Sequence, residues 1–511
     1  MEIKIKRHSS SKKMKKWHKW TGILFAFFIF IFAFSGVFLN HRKALSSLDV
    51  PRAGLFSAYR YQNWNNGSVK GSFKLSPDLV LLYGGNGIWL TDTLHTTFSS
   101  FSKGMKKGAD NNIVSNIIRT QDSSFFAVTT FDLYQLDPLS LSWKNLSDRI
   151  GAKERFVDIA AFDDTLVVMT RSHVYLATSP YTQFIQKELP APEGYKKETS
   201  WFRIMWTLHS GELFGIPGKV VVDILGILTM ILCVTGVILA FFPQIIRRKK
   251  RKGANARKSI SLFKGSLKWH NKLGASFIIL FLLLCITGMF LRPPLLIAII
   301  RGKTSPLPGT SLNSPNPWFD KLRCLHYDSF DKEWILYSSE GFYTLKTLDS
   351  EPQKIKKSPP VSVMGVTVLQ QTDSCHWIVG SFSGIYEWNK QTGESIDYIT
   401  GKPVEKRRPG IPNLTNAVGG YSADFGNKKL VFKYESGAGT LDGDDFAIMP
   451  DMFKKGRMSF WHLCLEVHVG RIYSPLLGVV SDLFVFLSGV IFLIILLTGY
   501  VIYRRRHKNK Y

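Results

Sequence analysis

The sequence predicts a mixed membrane protein: four transmembrane α-helices in two repeats, with β-rich segments outside the cytoplasm that one interpretation arranges as a propeller. Three observations predict this fold class. Four apolar stretches are long enough to cross a bilayer, basic charge clusters beside them, and the same motifs recur in both halves of the chain. With 511 residues, the chain has room for several domains.

Four apolar stretches predict membrane-spanning helices. Each holds about 19 residues or more, and at about 1.5 Å of rise per residue such a helix crosses the ~30 Å hydrocarbon layer. The predicted helices are residues 21–39, 220–242, 273–291 and 476–503. The first stretch is too long for a signal peptide and no A-x-A-like cleavage site follows it, so we expect a retained anchor.

The net charge of +28 lies mainly in three segments. Residues 1–20 hold eight Lys/Arg and one Glu, residues 244–272 hold eleven Lys/Arg and no acid, and residues 504–511 hold five Lys/Arg. Together they carry +23. By the positive-inside rule all three segments are cytoplasmic. Anionic lipid beside these basic segments explains the charge better than nucleic acid does.

The two long segments between the helices are predicted to lie outside and to be β-rich. They are residues 40–219 and 292–475, whereas the loop 243–272 and both tails lie inside. Aromatic residues in strand-like motifs recur at spacings of 45, 41 and 43 residues, which is typical of four-stranded propeller blades. Two separate β-sandwiches are the alternative. The motif residues are Trp89, Tyr134, Tyr175, Tyr343 and Tyr386, with residues 428–439 as a degenerate sixth unit.

Histidine motifs recur in both halves, which indicates an internal duplication. His18 and His270 each precede a glycine by 18 residues, and His209 and His468 each precede an aspartate by 14. A separation of 18 returns to the same helix face after five turns, so each histidine should share a stripe with its glycines. The two predicted stripes are His18, Gly22 and Gly36, and His270, Gly274 and Gly288.

These stripes suit a haem, whose iron takes axial histidine and whose ring needs an apolar slot. Four repeat-equivalent histidines, two inside and two outside, are the number that two bis-histidine haems require. Two other readings stay open. Small residues in membrane helices commonly serve helix packing, and Trp and His at the lipid boundary commonly act as anchors. No C-x-x-C-H motif occurs, so covalent c-type attachment is not indicated.

The four helices and their approaches resemble a known family. They contain WHKWTG…SGVFL, LHSGELFG…TGVIL, WHNKLG…TGMFL and LEVHVGR…LTGYVIYRRR. This set is similar to the PepSY-associated transmembrane family, which includes bacterial iron-regulated inner-membrane proteins and ferric-siderophore reductases. The resemblance implies a multi-pass inner-membrane protein with both termini cytoplasmic and large periplasmic segments. It also implies electron transfer across the membrane to periplasmic ferric iron or a ferric siderophore.

The resemblance further implies which residues bind the cofactor. It assigns b-type haem, in two copies, to His18, His209, His270 and His468 as iron ligands. The family commonly carries a compact α+β PepSY module outside the membrane, and this sequence has blade-like β repeats there instead. The outside partner or substrate therefore does not follow from the resemblance alone.

Several further residues are candidates near the helices. Asp223 and Asp482 are candidate proton carriers or partners of a ligand imidazole, or else interfacial residues whose carboxylates reach headgroup water. His41 and His462 are spare candidates for the outer ligands. Three cysteines are predicted to lie outside and allow at most one disulfide: Cys324, Cys375 and Cys464.

The sequence contains no nucleotide-binding motif of the G-x-x-x-x-G-K-[ST] or G-x-G-x-x-G type. A reductase of this kind would therefore take electrons from a quinol or from a separate cytoplasmic reductase. The alternative function is non-enzymatic: a membrane-anchored β domain that binds a periplasmic ligand or partner.

Overall fold

The chain divides into a helical unit and a β unit, and each is built from separate stretches of sequence. The computed structural model describes residues 2–404, 416–441 and 446–508. The helical unit comprises Met1–Leu45, Lys197–Asn313 and Trp461–Tyr511, and the β unit comprises Ser46–Lys196 and Ser314–Phe460.

Eleven α-helices lie in the described residues. Three contain stretches long and apolar enough to cross a bilayer, namely Lys12–Leu39, Glu212–Arg251 and Ser481–Arg506. These stretches overlap the first, second and last predicted membrane helices, 21–39, 220–242 and 476–503. The helices are α1 (Glu2–Leu39), α2 (Ser147–Ile150), α3 (Trp201–Ser210), α4 (Gly215–Arg251), α5 (Arg257–Ser276), α6 (Ile278–Phe290), α7 (Leu295–Ile299), α8 (Asp451–Lys454), α9 (Phe460–His468), α10 (Ser474–Leu477) and α11 (Ser481–Lys508).

The predicted straight helix over 273–291 differs from the structure. Its first residues belong to α5 and the rest to α6, and the two helices meet at an angle of 68°. Phe277 forms the corner, with backbone angles φ −106° and ψ 12° that interrupt the regular helix. Because α6 has only 13 residues, or about 20 Å, it is too short to cross the hydrocarbon layer alone. The described chain has three candidate spans, or four if this bent pair counts as one.

The β unit contains five four-stranded antiparallel sheets and one three-stranded sheet, each with its strands in chain order. Two further pairs of strands form two-stranded ribbons. One ribbon joins β1 (Asp49–Pro51) to β27 (Arg457–Ser459). The other lies in the helical unit and joins β14 (Thr199–Ser200) to β15 (Lys303–Thr304). The six sheets are β2–β5 (Gly71–Lys74, Leu79–Gly84, Gly87–Asp92, Phe98–Ser100), β6–β9 (Val114–Arg119, Phe125–Thr129, Leu133–Asp137, Ser142–Asn145), β10–β13 (Phe156–Phe162, Thr165–Thr170, Val174–Thr178, Ile185–Lys187), β16–β19 (Leu322–Asp328, Glu333–Ser338, Gly341–Leu345, Gln353–Lys354), β20–β23 (Val366–Gln371, His376–Ser381, Gly384–Asn389, Ser395–Asp397) and β24–β26 (Val418–Phe425, Lys428–Lys433, Gly437–Thr440).

These six sheets contact one another in a closed order. Each sheet contacts the next one along the chain, and β24 of the sixth sheet contacts β2 of the first. At that closing contact the Tyr421 amide donates to the Lys70 carbonyl at 3.2 Å, and the hydroxyls of Ser72 and Ser422 lie 2.6 Å apart. A separate apolar core fills each of the six junctions between neighbouring sheets. Burial between sheets, rather than within one sheet, therefore stabilises the unit.

The recurring aromatic residues explain how the sequence specifies these sheets. Each of the five lies on the third strand of a different four-stranded sheet, and residues 428–439 cover most of the second and third strands of the three-stranded sheet. Successive side chains along a strand point to opposite faces of the sheet. Each face is therefore buried against a different neighbouring sheet. The prediction of β-rich segments is thus confirmed.

Candidate functional site

The helical unit brings the four predicted histidines together in two pairs. His18 on α1 faces His270 on α5, and their ring centroids lie 6.4 Å apart with the planes at 78°. His209 at the end of α3 faces His468 at the end of α9, with centroids 6.1 Å apart and the planes at 46°. We call these the first pair and the second pair. Each pair joins one histidine from each half of the chain.

The Nδ1 atom of every one of these imidazoles is engaged by another helix. In the first pair, His18 Nδ1 lies 3.1 Å from Thr498 Oγ1 and His270 Nδ1 lies 3.0 Å from Thr235 Oγ1. Among the described residues none forms a hydrogen bond with Nε2 of any of the four rings. The second nitrogen of each ring is therefore available as a metal ligand.

The second pair is held by backbone carbonyls as well as hydroxyls. His209 Nδ1 lies 3.0 Å from the Leu284 carbonyl and 3.3 Å from Thr287 Oγ1. His468 Nδ1 lies 2.9 Å from the Phe32 carbonyl and 3.3 Å from Ser35 Oγ. Because a carbonyl only accepts hydrogen bonds, these Nδ1 atoms carry the proton and Nε2 carries the lone pair.

A cavity of about 300 Å³ adjoins the first pair. Apolar side chains from α1, α4, α5 and α11 form most of its wall, and Lys15 and Lys19 also line it. Gly22 and Gly274 line it: a side chain at Gly22 would contact nothing within 4 Å, and one at Gly274 would only approach Leu232 at 3.9 Å. These glycines keep the wall flat where a planar ligand would lie.

Gly36 and Gly288 serve a different site from the one predicted. We expected them to form a groove for the same ring as His18 and His270. The structure places Gly36 against the His468 imidazole and Gly288 against the His209 imidazole. A helix of 18 residues is about 27 Å long, so these two glycines lie near the opposite end of the membrane span from the histidines 18 residues before them.

Two glycines that the sequence reasoning missed also contact the imidazoles. Gly499 lies against His18 and Gly236 lies against His270. Each directly follows the threonine that binds the same imidazole. A signal was present, since a Ser-Gly or Thr-Gly pair occurs in each of the four helical motifs.

The two acidic candidates bind polar residues at the ends of the preceding helices. Asp223 accepts a hydrogen bond from Asn40 Nδ2 at 2.9 Å and lies 2.9 Å from His41 Nε2. Asp482 lies 3.4 Å from Arg292 Nη1. Their role as proton carriers or as partners of a ligand imidazole stays a prediction.

The two spare histidines have carboxylate partners. His41 binds Asp223, and His462 Nε2 lies 3.3 Å from Glu466 Oε1. Burial raises the pKa of Glu466, but hydrogen bonds from His462 and Arg471 outweigh that effect and hold its pKa at about 2. Whether His41 or His462 serves as an outer ligand stays a prediction.

Two other groups of side chains could in principle bind a metal or form a disulfide. Cys324, Cys375 and Cys464 are all free, so the structure contains no disulfide among the three candidates. The carboxylates of Asp328, Asp331 and Glu333 converge, but the buried Lys390 ammonium lies among them as their counter-charge. Neither group is part of the histidine sites.

The geometry of both pairs fits bis-imidazole coordination of one iron. A metal–imidazole bond is about 2 Å long, and a ring nitrogen lies about 1 Å from its centroid, so two facing ligands place their centroids roughly 6 Å apart. The observed separations of 6.4 and 6.1 Å agree with this value. Beside the first pair, the flat glycine wall and the apolar cavity are further features that a haem requires.

Comparison with known proteins places this arrangement in a family. The PepSY-associated TM region matches residues 16–506, which is nearly the whole chain. The protein belongs to the PepSY-associated TM family. All four histidines and the four Ser/Thr-Gly pairs lie within the matched residues. No curated protein matches the sequence of this PepSY-associated protein significantly.

Solved structures resemble this PepSY-associated protein only weakly. One is the extracellular domain of a one-component system from B. thetaiotaomicron, with 9% identity, a TM-score of 0.35, and coverage of 77% of this chain and 38% of that one. Another is PorZ of the type-IX secretion system of Porphyromonas gingivalis, with 8% identity, a TM-score of 0.19, and coverage of 69% and 42%. The chain thus spans less than half the length of either structure. Scores this low carry no inference about fold or function.

Proposed function

We propose that this protein is a haem-dependent oxidoreductase of the bacterial inner membrane that reduces ferric iron, or a ferric siderophore, in the periplasm. The two imidazoles of each pair would hold one b-type haem through its iron. The observation that carries the proposal is the pairing of four histidines from different helices, with each Nε2 available and each pair at the separation that one iron requires.

The position of the two pairs suits electron transfer across a membrane. His18 lies near one end of the apolar part of α1, and His468 contacts Gly36 near the other end. Eighteen residues of helix separate these points, or about 27 Å, close to the thickness of the hydrocarbon layer. One site would therefore serve each face.

In this proposal the haem would carry the electrons and the protein would position the haem. Haem supplies a one-electron carrier at each site, and reduction of ferric to ferrous iron takes one electron and no proton. The chain orients the four imidazoles, and beside the first pair its apolar side chains and glycines would cover the ring. Lys15 and Lys19, which line the cavity of the first pair, are suited to pair with haem carboxylates.

The charge distribution supports an orientation with both termini in the cytoplasm. The basic segments would lie beside anionic lipid, with the first pair near the cytoplasm and the second pair near the periplasm. Since the sequence has no dinucleotide motif, the electron donor would be a quinol or a separate cytoplasmic reductase.

The β unit would form a six-bladed propeller in the periplasm. The support is its closed order of six sheets, with an apolar core at every junction. A cavity of about 330 Å³ lies beside Arg323, Ser358 and Ser362 in this unit. That cavity favours the second candidate function, in which the β unit binds a periplasmic ligand or partner and the helices serve as its anchor.

An absorption spectrum of the purified full-length protein tests the proposal. Protein from haem-replete cells should have a Soret band that shifts on reduction by dithionite. His18→Ala should remove the share of the band that belongs to the first pair, and His468→Ala the share of the second. His173→Ala, in the β unit beside Glu154 and Glu188, is the matched control and should retain both. Colourless wild-type protein would leave only the second candidate function.

A further inference from the structure

We propose that four Ser/Thr-Gly pairs are positioning residues for the haem ligands, and that they fix each imidazole in one tautomer before the cofactor binds. We call each of these Ser/Thr-Gly dipeptides a notch. This inference rests on the proposed function, since it concerns the same four histidines. The notches are Ser35-Gly36 for His468, Thr235-Gly236 for His270, Thr287-Gly288 for His209 and Thr498-Gly499 for His18.

The hydroxyl of each notch can only accept a hydrogen bond from its imidazole. Thr498 Oγ1 donates its own hydrogen to the Ile494 carbonyl at 2.7 Å, and Thr235 Oγ1 donates to Ile231 at 2.7 Å. The equivalent bonds from Thr287 and Ser35 are both 2.8 Å long. With its hydrogen committed, the hydroxyl oxygen meets Nδ1 as an acceptor, so Nδ1 must carry the proton. Nε2 then presents its lone pair to the metal.

The glycine of each notch has no side chain, so the edge of the imidazole can pack directly against the helix backbone. A Cβ at Gly288 would lie 2.7 Å from Cε1 of His209, and one at Gly499 would lie 2.9 Å from Cε1 of His18. At Gly36 the corresponding distance to His468 is 3.0 Å, whereas at Gly236 the distance to His270 is 3.5 Å. At Gly288 and Gly499 a Cβ would force the imidazole to shift, at Gly36 the contact would be tight, and at Gly236 it would be an ordinary van der Waals contact. Gly236 is therefore a built-in control.

Every notch belongs to the other half of the chain from its histidine. His18 and His209 lie in the first half and use notches on α11 and α6. His270 and His468 lie in the second half and use notches on α4 and α1. This exchange places all four imidazoles by the same rule, which a chance packing contact would not do.

The two pairs differ in which acceptor is nearer. In the first pair the hydroxyls lie 3.1 and 3.0 Å from Nδ1. In the second pair the carbonyls of Leu284 and Phe32 lie at 3.0 and 2.9 Å, closer than the hydroxyls at 3.3 Å. Removal of a hydroxyl should therefore matter more in the first pair.

The glycine test compares Gly499→Ala with Gly236→Ala, which alter the two sides of the same site. Gly499→Ala should displace His18 and weaken haem retention by roughly 10–100-fold, the range measured when groups that orient metal ligands are lost. Gly236→Ala should retain haem like the wild type. Equal retention by the two variants would overturn the assignment of the glycines.

The hydroxyl test compares Thr498→Val with Thr287→Val in the full-length, haem-loaded protein. A hydrogen bond from Nδ1 makes the imidazole a stronger donor and favours ferric iron, so Thr498→Val should raise the midpoint potential of the first haem. Thr498→Ser should restore it, and Thr287→Val should shift the second haem less. An unchanged potential in Thr498→Val would overturn the tautomer assignment alone. Colourless wild-type protein would instead refute the proposed function.

Discussion

At the scale of single residues, Glu466 links the second pair to the charged groups beside it. It lies two positions before His468 and is 4% exposed. Arg471 Nε donates to both of its oxygens, at 3.1 and 3.0 Å, and His462 lies 3.3 Å from one of them. A buried carboxylate bound in this way strengthens the fold only while it is ionised.

We predict that Glu466→Gln makes the protein less stable at neutral pH and that the loss of stability is smaller in acid. The pKa of Glu466 falls from 4.5 in the unfolded chain to about 2 in the fold, so its contribution is present above pH 4.5 and is lost as the pH falls toward 2. The shift corresponds to a contribution on the order of 3 kcal/mol. Unfolding of both proteins, measured at pH 6 and near pH 3, checks this. A difference in stability that stays constant between these pH values would contradict it.

The residues of the histidine sites were partly predictable. The four histidines follow from motifs repeated in the two halves, and Gly22 and Gly274 line the first cavity. Thr235 and Thr498 were missed, and Gly36 and Gly288 were placed at the wrong histidines. The cause is that periodicity reports which residues share a face of one helix. It contains no information about which other helix that face contacts.

At the scale of helices and strands, the second pair depends on two sharp helix ends. α3 ends directly after His209 at Gly211, with φ 78°, and α9 ends near His468, followed by Gly470 with φ 83°. A Cβ at Gly211 would lie 2.2 Å from the Gly218 carbonyl oxygen. Left-handed backbone and close backbone approach both require glycine here.

We predict that Gly211→Ala disrupts the corner between α3 and α4 and displaces His209. The left-handed conformation alone costs on the order of 1–3 kcal/mol with a side chain, and the clash with Gly218 adds to it. Thermal unfolding should shift downward, and the Soret contribution of the second pair should fall while that of the first persists. Gly253→Ala is the control, because Gly253 has φ 66° but open space around it. Equal effects of the two substitutions would show that the close approach is unimportant.

The predicted membrane helices illustrate what composition does and does not specify. The length of the apolar stretches was sufficient to locate three candidate membrane-spanning helices, because crossing a bilayer requires an uninterrupted apolar helix. It gave no sign of the corner at Phe277, where no proline occurs and the apolar run continues on both sides. That corner arises from the backbone conformation of one residue, which hydropathy does not report.

At the scale of the whole chain, the two halves depend on each other. Each half contributes three of the six sheets, and the closed order of contacts requires both sets. Each half also supplies two histidines and two notches, and both histidine pairs combine the two halves. The period of the aromatic motifs predicted the number of sheets, but a spacing along the chain could not indicate that the sixth sheet would meet the first.

This interdependence predicts the behaviour of a divided protein. The loop between α4 and α5 lies at the boundary of the halves, so fragments 1–253 and 254–511 each keep two of the four paired histidines and three of the six sheets. Expressed together, the fragments should co-purify, because the two sheet junctions that join the halves, and both imidazole pairs, form only in the complex. Expressed alone, neither should give the bis-imidazole haem spectrum, since each lacks the partner ring and the notch for every histidine. Co-purification is independent of haem, so it tests the shared fold separately from the sites. A single fragment with the full spectrum would contradict the pairing of halves.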